Sequence, residues 1–143
     1  MKKVFLLFGI ILPWVATAQI KFQEITLDEA MSKAVELKKD ILVDVVSGRI
    51  DNKNINKVLE NKELAKQIDR DFIAVRIDMM KKENAYFVPK VLGTPYPCVM
   101  LFTNQGENVG TGFWDEMATG RMNAVEIFAK AKAAAEVKRQ NSC

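Results

Sequence analysis

The sequence contains no histidine, and its 143 residues include only two cysteines, Cys98 and Cys143. Without histidine there is no Ser-His or Cys-His nucleophile, no His-ligated zinc or haem, and no unperturbed side chain that titrates near neutrality. Two cysteines cannot form a four-cysteine zinc or iron–sulfur site within one chain, so neither a metal nor a cofactor is expected. A dominant charge sign is also lacking: 21 basic side chains face 18 acidic ones, which gives no electrostatic case for nucleic acid. The length points to one domain.

No apolar run reaches the roughly twenty residues that a bilayer core requires. The run from Val4 to Val15 instead follows Lys2 and Lys3 and leads into Ala16-Thr17-Ala18 and Gln19. Charged, apolar and small residues in that order form a secretory signal with an Ala-x-Ala cleavage site. Residues 1–18 are therefore expected to be removed, leaving 19–143 as a single exported domain, periplasmic or secreted. No cysteine near the cut offers a thiol for lipid attachment, so no stable membrane anchor is expected after cleavage. The sparse cysteines also exclude a cystine-rich scaffold, although an exported protein meets conditions in which disulfides persist.

Thr26-Leu27-Asp28-Glu29 is a capping box, with Thr26 capping a helix and Glu29 reaching back to the Thr26 amide. Leu27, Ala30, Met31, Ala34 and Leu37 then recur at helical spacing. Ile41 to Val46 is a nearly continuous apolar, β-branched run interrupted by Asp44, which predicts a buried strand. A helix is expected from Lys62 to Asp69, a second buried strand from Phe72 to Asp78, and a short helix from Pro89 to about Gly93. Val99 to Phe102 and Asn108 to Trp114 flank the turn Asn104-Gln105-Gly106 and should form a hairpin. The last helix should run from about Met122 to Lys138, with Val125, Phe128 and Ala131 inward. Alternating helices and strands imply parallel pairing with right-handed crossovers before the hairpin.

Ile41-Leu42-Val43-Asp44-Val45-Val46 resembles the first core strand of the thioredoxin superfamily. Phe72-Ile73-Ala74-Val75-Arg76-Ile77-Asp78 resembles its second, Val91-Leu92-Gly93-Thr94-Pro95-Tyr96-Pro97 the segment carrying its cis-proline, and Val99 to Phe102 with Gly106 the hairpin beyond. The resemblance spans about residues 26–138 and is nearest to exported members with an extra N-terminal helix. It implies an α/β, three-layer thioredoxin-like fold: a central mixed sheet ending in an antiparallel hairpin, with helices on both faces.

The family's redox Cys-x-x-Cys begins six residues after the strand aspartate, which here lands on Ile50-Asp51-Asn52-Lys53. No cysteine precedes Cys98, so the attacking and resolving thiols of a dithiol cycle are both missing. By the resemblance, Asp44 is the family's buried aspartate. A buried carboxylate needs a partner, and because the aligned position on the neighbouring strand is Ala74, Lys53 is expected to supply the charge. The alternative is an Asp44 that reaches solvent at the strand end. Pro97 and Pro95 are rival cis-prolines, Pro97 being favoured because it directly precedes the strand.

In the family the proline loop pairs with an extended peptide, a docking mode that does not need thiols. A redox-inactive protein- or peptide-binding, chaperone-like or assembly module is therefore expected, its surface formed by the proline loop, Thr94, Pro95, Tyr96 and Pro97 up to Cys98, together with Arg49, Ile50, Asp51, Asn52 and Lys53. Tyr86, Tyr96 or Trp114 would serve as an aromatic anchor. The alternative is an atypical thiol–disulfide oxidoreductase or isomerase using Cys98 as a monothiol, against a plain buried thiol opening a strand. Cys143, at the end of a polar tail, is expected to be accessible and is the candidate for a covalent dimer.

Overall fold

Strand β1, Asp40–Val46, is buried along its whole length, and the two faces of the sheet are set by its alternation. Ile41, Val43 and Val45 enter one apolar cluster with Leu27, Ala34, Phe87 and Phe102. Leu42 points to the other, among Ile55, Leu64, Ile68, Trp114 and Phe128. Two-sided burial of this kind follows from a continuous β-branched run. The computed structural model describes residues 20–48 and 53–143. The expected leader and the Arg49, Ile50, Asp51 and Asn52 positions lie outside the described residues.

Helix α1, Leu27–Leu37, starts at the capping box, with both reciprocal bonds between Thr26 and Glu29 formed. Its buried face is Leu27, Ala30 and Ala34, while Leu37 is exposed. Helix α2, Lys53–Leu59, buries Ile55 and Val58. Helix α3, Lys62–Asp71, is capped by the Asn61 side chain, which accepts from the Glu63 and Leu64 amides. Strand β2, Phe72–Asp78, has the bounds that its apolar alternation predicts. A 3₁₀ turn over Lys82–Phe87 runs into the short helix α4, Val88–Val91, with Pro89 in its first turn. Strands β3, Cys98–Phe102, and β4, Asn108–Gly112, form the hairpin. Two helices close the chain: α5, Trp114–Ala118, and α6, Ala124–Asn141.

The sheet order is β2-β1-β3-β4. β1 and β2 are parallel, but β3 runs antiparallel to β1 as well as to β4, which corrects the expectation of parallel pairing before the hairpin. The register gives the reason. Val45 faces Ile77 near the end of β2 and Cys98 at the start of β3. The connection through the 3₁₀ turn and α4 thus brings the chain back to the end it left, so the next strand must reverse. α5 is a second departure, since the hairpin was expected to continue to Trp114. In α6, Phe128, Ala131 and Ala135 are buried and Val125 is exposed, so the inward stripe lies further along than expected.

Among the described residues, no helix is long and apolar enough to cross a membrane.

Candidate functional site

Asp44 is fully buried, and both its oxygens are engaged. Arg76 Nε donates to Oδ2 at 2.8 Å and Trp114 Nε1 donates to Oδ1 at 2.8 Å. Arg76 is the register partner of Asp44 across the parallel β1–β2 pair. The compensating charge assigned to Lys53 therefore comes from Arg76, and Ala74 is not the matching position. The route to solvent at the strand end is also excluded, because Asp44 has no exposed surface. Burial still outweighs both donors and holds the Asp44 carboxyl above its ordinary 3.8. Trp114 was weighed as a surface anchor, yet it is fully buried and its indole closes this cluster. The available signal for Arg76 was a lone arginine inside an otherwise apolar strand.

Cys98 opens β3 opposite Val45 and has no exposed surface. Desolvation first, and the nearby Asp44 charge second, push its thiol up to about 11. A nucleophilic cysteine needs the reverse, a cationic or helix N-terminal environment that favours thiolate. Cys143 is exposed, and its Sγ donates to the Arg139 carbonyl at 3.5 Å.

The Tyr96–Pro97 peptide is cis. In this loop Pro95 and Tyr96 are exposed, whereas Thr94 and Pro97 are half-buried. Lys53 is exposed at the first position of α2. The chain approaches the 49–52 segment through Gly48, whose φ of 60° suits a residue without Cβ. The Asp78 carboxylate accepts from the Gly48 and Met80 amides, both at 2.9 Å, tying the ends of β1 and β2 together. These two bonds hold the Asp78 carboxyl below its usual range.

Tyr86 is partly exposed, but its hydroxyl accepts from the Leu27 amide at 2.9 Å. It serves as a support for the start of α1. A groove of about 360 Å³ opens between α2, α3, α5 and α6, lined by Val58, Leu64, Met117 and Met122 among others. None of Thr94, Pro95, Tyr96 or Pro97 lines it. Among the described residues, no group of three or more histidine, cysteine, aspartate or glutamate side chains is placed to hold a metal ion.

No family model and no curated protein matches the chain. Solved structures do. A candidate disulphide isomerase from Bacteroides thetaiotaomicron is 23% identical, with a TM-score of 0.59 over 82% of this chain and 93% of that one. A disulphide isomerase from Xylella fastidiosa Temecula1 is 18% identical, with a TM-score of 0.51 over 84% of this chain and 98% of that one. These likenesses, with the four-stranded mixed sheet and its flanking helices, give the chain a thioredoxin-like fold.

Proposed function

We propose that this chain is an exported, redox-inactive thioredoxin-fold protein that binds an extended protein or peptide segment. The observation that carries the reading is Cys98: it is buried, has its thiol raised to about 11, and is the only cysteine before the C-terminal residue. The same proline loop keeps Tyr96 42% exposed, which supports contact with a partner. Lys53 and the adjoining 49–52 positions complete the proposed surface.

Capture from an envelope extract on immobilised protein tests this. Partners retained by the wild type and by Cys98→Ser, and lost from Tyr96→Ala, are the expected result. Retention by Tyr96→Ala would remove the proline loop from the reading.

The second reading, a monothiol oxidoreductase or isomerase, is favoured by what the two structural neighbours are called. It requires Cys98 thiolate to attack a substrate disulfide, expel one thiolate and await a partner's thiol. Isomerisation of a scrambled disulfide substrate that disappears in Cys98→Ser would establish it and overturn the first.

A further inference from the structure

Residues 20–24 lie against the outer edge of β2. Gln23 donates its amide to the Ala74 carbonyl and accepts from the Arg76 amide, each at 2.9 Å, forming a parallel bridge opposite Val75. Ile20 and Phe22 pack on the apolar cluster that contains Trp114. The Phe22 ring also lies 4.8 Å from the Arg76 guanidinium carbon, a distance at which the ring face attracts the cation. Two further side-chain contacts hold this strap: Lys33 donates to Gln23 at 2.8 Å, and Lys81 pairs with Glu24 at 3.3 Å.

The covered guanidinium is the one that neutralises Asp44, and Asp44 is the acceptor for the Trp114 indole. Trp114 is the first residue of α5, and the next residue, Asp115, accepts a hydrogen bond from the Asn54 side chain in the first turn of α2. An unbroken series of contacts therefore runs from the strap through Arg76, Asp44 and Trp114 to the helix whose start forms part of the proposed binding surface.

We propose that the strap is a detachable cover whose seating on Arg76 is coupled, through Asp44 and Trp114, to the hold on α5 and the first turn of α2. With the strap seated, the Phe22 ring covers part of the Arg76 guanidinium and leaves its side chain 27% exposed, and the geometry of the Arg76–Asp44 pair is fixed. With the strap lifted, water competes for the guanidinium, the carboxylate loses its fixed orientation, and the indole bond that anchors α5 loosens. Arg76 is the joint of the device, because its side chain is 27% exposed whereas that of Asp44 is wholly enclosed. The device rests on contacts within the fold, and holds whichever activity the proline loop has.

Hydrogen exchange by NMR on the full chain tests the coupling. Phe22→Ala should speed exchange of the Arg76 amide, the Trp114 indole and the Val58 amide in α2 together. A rise of at least about fivefold is expected, the lower end of ordinary coupling between sites. The Val43 amide, inside β1, should stay unchanged. Phe22→Leu keeps the apolar contact but removes the ring face, and should give a smaller rise at the same three positions. Faster exchange confined to Arg76 would reduce the strap to an edge cover and overturn the coupling. An equal rise at Val43 would show general destabilisation and overturn it as well. Retention of partners by Tyr96→Ala with this exchange pattern intact would overturn the binding reading alone.

Discussion

Arg76 carries more of this molecule than its place as a partly exposed residue near the end of β2 suggests. It is the cation beside a carboxylate with no access to water, so Arg76→Met leaves a buried charge with only the Trp114 indole to meet it. Breaking a buried pair from one side costs about 3 kcal/mol or more, and a shift of that order in urea unfolding is expected. A loss below about 1 kcal/mol would mean that Asp44 is neutral or hydrated in the native state. Asp44 also makes a prediction in pH. Its carboxyl is raised above 3.8 mainly by burial, so the native state holds the proton more tightly than the unfolded chain. Stability from this group is therefore full below about 3.8 and declines as pH climbs through the raised native value. Asp44→Asn has no such proton to lose. The stability of wild type minus that of Asp44→Asn should fall with rising pH across this window, measured from urea midpoints. A difference independent of pH would show that the two states share one carboxyl pKa.

Helix α6 shows how the elements are fastened. Its last turns meet the sheet through Arg139, which pairs with buried Asp40 at 2.5 Å. Earlier, Lys132 reaches the buried Asp71 carboxylate at 3.0 Å, which also takes a two-pronged contact from Arg70. The pair between Lys130 and Glu126, by contrast, lies on the outer face. Arg139→Met should cost about 2 kcal/mol, because Asp40 keeps its burial and loses its cation. Glu126→Gln should leave the unfolding midpoint nearly unchanged, because the pair is exposed and solvent screens it. Equal losses in thermal unfolding would contradict this ranking. Elements with strong local signals were legible: the Thr26–Glu29 box fixed the start of α1, and the Phe72–Asp78 alternation gave β2 its bounds. The Asp44 cluster was not. Choosing between Ala74 and Arg76 as its neighbour requires the stagger of β1 against β2, a non-local quantity that neither strand encodes alone. Trp114 was missed for a related reason, since only its contact with Asp44, seventy positions earlier, distinguishes it from an aromatic at a hairpin end. The short α5 has no side-chain cap to announce it.

At the scale of the whole molecule, the two cysteines are separated by the sheet itself. Cys98 faces Val45 near the end of β1, while the end of α6, just before Cys143, is tied by Arg139 to Asp40 at its beginning. Five residues of strand span roughly 16 Å, and a disulfide requires Cα atoms within about 7 Å, so the fold excludes an internal bridge. Any bridge formed without unfolding must leave from Cys143, the exposed thiol. Mild oxidation of the purified protein should therefore give a covalent dimer that Cys143→Ser abolishes and Cys98→Ser leaves intact. Alkylation of the reduced native protein should likewise add one group, at Cys143, with the second added only after denaturation. The same intact-mass measurement on exported material should place the first residue at Gln19. Rapid native alkylation of both thiols would mean that β3 opens readily at Cys98, and would restore the monothiol reading. A single native modification would leave Cys143 as the molecule's only covalent handle and make the search for a non-covalent partner at the proline loop the next step.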